Sequence, residues 1–385
     1  MTDRLAAGRA DGPGPADDLA VRLLRAVLGG RDRGRISLVG LSKNAGKTVT
    51  LNRLIRAAAG LGIPLGLLST GRDGEPVDAV TELPKPRIWA PEGTLVATAA
   101  AGGPDGGSGA AGEDRERTAR VAVLRETGIT TPLGPVVIGR VVRSGEVLLV
   151  GPGSAARIAT LLDELEAAGA ALCLVDGSLD RRAAAAPAVT GRAILAAGAA
   201  YSASMDATVS QVRYLLELFD LPEAPPEWRH GARPPVCLLL PDGPPVAVPV
   251  PSALTDPAVV AEAAAAAPAG AVLSVTGALT GGLLLALLSR PCAHIPILVP
   301  DPTHVLADRS AWRRWRRQGG QVFVEKRVEI AAVTTNAYSP VGPSYDAAAF
   351  CARVAEVAGR PVVDLVAGIA HHLPADHPHR DPVHR

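Results

Sequence analysis

The chain has 385 residues, 48% of them hydrophobic, which is room for about two domains with substantial cores. Its 39 basic and 38 acidic residues leave a formal net charge of +1, so no overall field favours nucleic acid or an anionic membrane, and neither is expected as a partner. The N-terminus lacks the apolar core of a signal peptide and no apolar run reads as a membrane span. Cys173, Cys237, Cys292 and Cys351 lie far apart in apolar runs, as core thiols of a reducing compartment, so a cytoplasmic location is expected.

Residues 1–16 are rich in Gly, Pro and Asp and read as a disordered tail. Asp17 and Asp18 then open a helix through Leu28, ended by Gly29 and Gly30. Residues 36–53, ISLVGLSKNAGKTVTLNR, read as a buried strand, a tight loop and the start of a helix. Gly46, Lys47 and Thr48 match the end of the phosphate-loop pattern G-x-x-x-x-G-K-[ST]; Leu41 stands where its first glycine belongs and Gly40 lies one residue early. In such a loop successive backbone N–H groups and the helix N-terminus cradle phosphate, Lys47 reaches the β and γ oxygens, and the Thr48 hydroxyl ligates Mg²⁺. The expected nucleotide-binding segment is Ser42, Lys43, Asn44, Ala45, Gly46, Lys47, Thr48 and Val49. Lysine occurs only at 43, 47, 85 and 326, arginine having filled the other cationic positions, and a compact ammonium suits this loop where a planar guanidinium does not. The guanine-reading run Asn-Lys-x-Asp is missing, so ATP is expected rather than GTP.

A second strand, Ile63–Ser69, leads into Thr70-Gly71-Arg72-Asp73-Gly74-Glu75. Ligands of open α/β sheets sit outside the carboxyl ends of strands, so Asp73 and Glu75 are candidates for holding Mg²⁺ or positioning water; the other reading is a solvated Asp-Gly turn. Residues 76–100 are rich in proline and hold Lys85, as a loop or lid before a short strand or helix, and 101–116 is a low-complexity flexible insertion. A helix near 117–126 is expected, then strands Val136–Val142 and Glu146–Val150 joined as a hairpin. Gly151-Pro152-Gly153-Ser154 opens the helix 155–168, as a cap or as a second anion turn. Strand Ala171–Val175 delivers Asp176 to its carboxyl end, where a carboxylate downstream of a phosphate loop holds Mg²⁺ or orients water; an Asp capping a turn is the alternative. Lys47, Asp73 and Asp176 are thus the candidate catalytic residues, and Thr48, Asp73, Glu75 and Asp176 the candidate metal ligands. Strand Ala193–Ala200 and a helix from about Asp206 to Phe219 complete a first domain, 17–220.

Residues 221–235 read as a proline-rich linker, able to let two domains move against each other. A second α/β unit, 236–370, has no phosphate loop, and reads as a separate domain or as a continuation of the first sheet. Within it Asn336 ends a strand in Thr334-Thr335-Asn336-Ala337-Tyr338-Ser339-Pro340, a polar site candidate that a plain turn explains equally well. Trp312 and Trp315 among Arg313, Arg314, Arg316 and Arg317 form a basic aromatic helix, either a solvated face or a partner surface. The tail 371–385 is rich in histidine and expected to be disordered.

The stretches SLVGLSKNAGKTVTLNRL, STGRDGEPVD, PRIWAPEGTLVATA, TGITTPLGPVVI, LVDGSLDRR and AAPAVTGRAILAAGAA together resemble the P-loop reactivase subunit associated with lysine 5,6-aminomutase, an adenosylcobalamin and pyridoxal-phosphate enzyme. The resemblance covers about residues 36–220, and the 101–116 insertion and the long tail depart from it. It implies a three-layer α/β/α P-loop NTPase sheet followed by a second α/β unit. It also implies a Mg²⁺- and ATP-dependent accessory that restores a damaged cobalamin-dependent aminomutase, with a partner ATPase. The broader group it resembles, with dethiobiotin synthetase, cobyrinate amidase and the partition ATPases, is dimeric and implies a homodimer. Two other functions stay open: an ATP-dependent ligase or kinase of a small molecule, with Lys85 and the Asn336 region lining its pocket, and a non-hydrolysing nucleotide-binding scaffold, which Leu41 favours.

Overall fold

The computed structural model describes residues 15–70, 88–100, 117–177, 185–229, 231, 233–290 and 294–375; Asp73, Glu75, Lys85, Arg181, Arg182, Cys292 and the 101–116 insertion lie outside the described residues. Helix α1 (Pro15–Leu28) leads into β1 (Gly34–Gly40), α2 (Lys47–Gly60) and β2 (Leu65–Ser69). Strands β3 (Ile88–Ala90), β4 (Leu95–Ala99), β5 (Arg120–Thr131), β6 (Gly134–Arg143) and β7 (Gly145–Val147) follow. Next come α3 (Ala155–Ala167), β8 (Leu172–Asp176), α4 (Ala185–Thr190), β9 (Arg192–Gly198) and α5 (Met205–Phe219). Strands β10 (Val236–Leu239) and β11 (Val246–Ala247), α6 (Pro257–Ala265), β12 (Val272–Val275), β13 (Leu279–Thr280) and α7 (Gly281–Leu288) open the second half. It continues through β14 (Ile297–Val299), β15 (Val305–Leu306), α8 (Arg309–Arg317), β16 (Val322–Val324) and β17 (Glu329–Asn336). Helix α9 (Ala347–Ala358), β18 (Val362–Asp364) and β19 (Ile369–His371) end it.

A ten-stranded sheet in the order β19-β18-β17-β9-β1-β8-β2-β4-β6-β5 dominates the molecule. From β18 to β4 every pairing is parallel, and antiparallel β19 at one edge and β6 and β5 at the other complete it. Strands buried on both faces need continuous apolar runs, and β1, β8 and β9 supply them. Ile36 and Leu38 pack with α1 and α2 on one face, while Val39 and Leu195 meet α5 and α9 on the other and Val175 meets α3. The chain is therefore mixed α/β around a mostly parallel sheet. No helix among the described residues is long and apolar enough to cross a membrane.

Residues 236–370 do not stay together. Strands β10, β12, β14 and β16 form, with β11, a five-stranded sheet, whereas β17, β18 and β19 extend the first sheet beyond β9. Helix α5 is wedged between the two. Its Val209, Val212, Leu216 and Phe219 face the large sheet, and Tyr214 and Leu218 face the small one. Two bonds clamp it there: the Tyr214 hydroxyl donates to the Ala307 carbonyl (2.6 Å) and Trp312 Nε1 to Glu217 Oε1 (2.9 Å).

Several expectations are corrected. Residues 120–126, expected as part of a helix over 117–126, enter β5 instead, because pairing with β6 satisfies their backbone where local propensity does not decide. Strand β7 does not form a hairpin with β6; it crosses to β3, and Gly145 is needed because a Cβ there would lie 2.5 Å from the Ala119 nitrogen. The proline-rich segment is laid along β16: Ala224 N–H donates to Val324 O (2.7 Å) and Trp228 meets the Phe323 ring edge-on at 5.1 Å. Trp312 and Trp315 are fully buried, so only the arginines of α8 form a solvated face. The start of the histidine tail is also held, His371 by β18 and the Leu373 and Pro374 carbonyls by Arg22. Cys173, Cys237 and Cys351 are buried free thiols, as expected, and burial pushes Cys173 up to about 12, which leaves it unreactive.

Two outcomes follow for stability. Trp312→Ala empties the centre of the second core and is expected to cost about 3–5 kcal/mol, measured by urea unfolding. At the end of β14, burial alone would raise the Asp301 pKa, but His304 Nδ1 at 3.2 Å and the Thr303 hydroxyl and N–H hold it below the usual carboxylate range. A lowered folded-state pKa stabilises above the unfolded value, about 4, and that gain fades as pH falls through the folded value. Asp301→Asn should therefore lower Tm at pH 7, with the difference from wild type shrinking in acid melts below about pH 4.

Candidate functional site

Strand order reverses at β1: the chain passes to β2 and β8 on one side and to β9 and β17 on the other. Crevices of open α/β sheets form outside strand carboxyl ends at such a reversal, and the 41–46 turn lies there. Leu41 N–H donates to Ala196 O (2.8 Å), continuing the ladder with β9, and its side chain packs on the core around Val39 and Leu195. The residue at the missing-glycine position is thus an anchor. The left-handed positions of the turn are Asn44 (φ 59) and Gly46 (φ 98), residue types that tolerate this conformation. Gly40 serves a different end, since a Cβ on it would lie 2.9 Å from Cγ and Cδ of Lys47. Its bareness lets the Lys47 stem fold back over the turn.

Helix α2 begins differently from six of the later helices. Ser154, Ser204, Asp256, Thr280, Asp308 and Asp346 each cap α3, α5, α6, α7, α8 and α9 with a side-chain oxygen. Gly46 starts α2 with no side-chain cap, and no acid stands in its first turn. Its leading N–H groups and positive dipole end therefore have no side-chain acceptor from a cap. Gly151-Pro152-Gly153-Ser154 offers no such opening, because the Ser154 hydroxyl caps α3 by accepting from Arg157 N–H.

The Lys47 ammonium donates to the Gly177 carbonyl (2.8 Å), immediately after β8. Parallel registers Leu38↔Asp176 and Ser69↔Asp176 place Asp176 between the ends of β1 and β2, half-buried and one residue from the carbonyl that Lys47 grips. Lys47, Thr48 and Asp176 therefore belong to one end of the sheet; Asp73 and Glu75 lie outside the described residues. Val49 is 36% exposed and turned outward, so it offers backbone rather than side chain. No group of three or more His, Cys, Asp or Glu suited to a metal occurs among the described residues, so a cation here would need oxygen from its ligand as well.

The structure adds partners that local sequence reading had not connected. Gly198 at the end of β9 abuts Ala45, where a Cβ would lie 2.7 Å from the Ala45 Cα. Asn336, at the end of β17, sits against Gly46 and directs its amide toward the Asn44 carbonyl (3.5 Å). Ser42, Lys43 and Asn44 face Ala200, Ser339, Pro340 and Val341 across a shallow groove of about 180 Å³. Asparagine occurs only at 44, 52 and 336, and that rarity with the place of Asn336 at a strand end were the available signals for this side of the site.

Gly198→Ala is expected to displace the turn and cost about 1–3 kcal/mol in denaturant unfolding, because the clash is with backbone. Gly153→Ala, with nothing within 4 Å of the added Cβ, is the silent control. Comparisons with protein-family models, with curated proteins and with solved structures find no match to this chain.

Proposed function

We propose that the chain binds Mg²⁺-ATP at residues 42–49 and hydrolyses it to act on a protein partner, a cobalamin-dependent aminomutase. The observation that carries the nucleotide reading is the uncapped start of α2 beside Lys47, whose stem lies over Gly40. Uncapped N–H groups, a dipole end and an ammonium on a long stem make a polyphosphate cradle. Thr48 and Asp176 would hold Mg²⁺, which when bound neutralises charge on the phosphates. Asp176 orients the ion or the attacking water, because phosphoryl transfer depends on positioning and charge more than on covalent help. The groove between Ser42–Asn44 and Ser339–Val341, with Asn336 at its edge, supports a place for the base. The partner rests on the reactivase resemblance over residues 36–220. The fold class is then that of the P-loop NTPases.

Lys47→Ala should weaken ATP binding at least about tenfold, roughly 1.4 kcal/mol, by calorimetry; unchanged affinity would refute the assignment. Asp176→Asn should lower kcat while the circular dichroism spectrum and Tm stay those of wild type, and full activity would remove Asp176 from the mechanism. ATP should outcompete GTP in a displacement assay. For the partner, immobilised aminomutase should retain the chain differently in ATP and ADP; equal retention together with steady ATP turnover on a metabolite would favour a small-molecule ligase.

A further inference from the structure

We infer that the outer face of α8 is a docking surface for an acidic, helical segment of another protein, independently of whether the chain binds nucleotide.

Helix α8 segregates its residues by side. Ala311, Trp312 and Trp315 are buried, whereas Arg313, Arg314, Arg316 and Arg317 are exposed and Arg309 lies at the margin between them. Arg309, Arg313 and Arg317 recur at every fourth position, so they form a row along one side of the helix at steps of about 6 Å. The helix itself contains no acid. Arg316 is engaged, its Nη1 donating to the Gly320 carbonyl (3.0 Å) and its Nε lying 3.9 Å from Glu217. The side chains of Arg309, Arg313, Arg314 and Arg317 make no ion pair or hydrogen bond among the described residues. Other arginines of the fold are matched: Arg35, Arg53, Arg192, Arg353 and Arg360 each lie within 2.8 Å of a carboxylate.

Like charges at this spacing repel and destabilise the helix that bears them, so α8 is held by its buried tryptophans against its own surface charge. A row of carboxylates would relieve that repulsion. Glutamates at every fourth position of a facing helix have the same repeat, and each planar guanidinium can take both oxygens of one carboxylate. Two observations favour protein over nucleic acid. The tryptophans that could stack on bases are buried, and Leu306, just ahead of the helix in sequence, and Leu285, on the helix α7 that packs against α8, are exposed. Arginine in company with apolar side chains is the composition of a protein interface.

The test is fluorescence anisotropy with the full chain and three labelled probes: a synthetic helical peptide with glutamate at every fourth position, a scrambled peptide of the same composition, and a DNA duplex. The helical peptide should bind, weaken as salt is raised to the physiological level, and lose about tenfold in affinity in Arg313→Gln/Arg317→Gln. Glutamine keeps the helix propensity of arginine and removes the repulsion, so the Tm of that variant should be no lower than that of wild type. Arg313→Gln alone should lose about threefold, and serves as the test if the pair disturbs folding. Reversing both charges, with Arg313→Glu and Arg317→Glu, should transfer binding to the matching lysine peptide. Failure of the helical peptide to bind, equal affinity for the scrambled peptide, or equal affinity of wild type and the glutamine variant overturns the proposal. Tighter binding of the duplex that the glutamine variant loses assigns the face to nucleic acid and overturns it as well.

Discussion

The close contact of the 41–46 turn with the strand ends around it is the constraint on which the rest of the site depends. Gly40 leaves room for the Lys47 stem, Gly198 for the Ala45 backbone, and Gly46 for Asn336. A methyl group on Gly198 would push on the turn's backbone, one on Gly40 on the Lys47 stem and one on Gly46 on the Asn336 side chain. Leu41 completes the seating by tying the turn to β9 and to the core beneath. With the turn held from below and from both sides, α2 can begin at a bare glycine and keep its first N–H groups unspent. The Thr50 and Thr334 hydroxyls, bonded at 2.9 Å inside the core, keep α2 and β17 aligned, so the Lys47 and Asn336 sides of the groove share one frame.

The second sheet is joined to that frame by burial rather than by a tether. Helix α5 is apolar toward both sheets, and Tyr214 and Trp312 place hydrogen bonds within the apolar contact. The Tyr214–Ala307 bond is buried, so sliding that broke it would leave an unsatisfied group, whereas the Trp312 bond is made to the exposed Glu217 at the rim of the contact. The segment at 221–229 lies along β16 and adds to the small sheet, and Lys326 Nζ donates to the Ala188 carbonyl of α4, a further contact between the two sheets.

What was legible in the residues is what local periodicity encodes. The strand and helix around 36–53, the delivery of Asp176 to a strand end, and the helices after 155 and 206 all carry their own patterns, and the structure has them within a residue or two. Pairings distant in sequence were not legible. Nothing local says that β17 leaves the small sheet to join β9, yet that pairing brings Asn336 to the turn. Residues 117–126 read as a helix, and only the pairing of 120–131 with β6 decides for a strand. Trp312 and Trp315 looked like a surface because four arginines surround them, but a helix segregates such a run, with aromatics inward and guanidinium groups outward. The role of Gly40 was hidden for a different reason: its partner is the side chain of Lys47, and a one-dimensional motif does not register that contact.

The central claim is that the bare start of α2 receives polyphosphate. Backbone amide shifts in transverse-relaxation-optimised NMR spectra, recorded as Mg²⁺-ATP is titrated into the full chain, test it most directly. Saturable shifts centred on the amides of Asn44 to Val49, with Gly177 moving in step as Lys47 changes acceptor, are the expected result. Shifts that leave Asn44 to Val49 unchanged while others move would place the nucleotide elsewhere and contradict it.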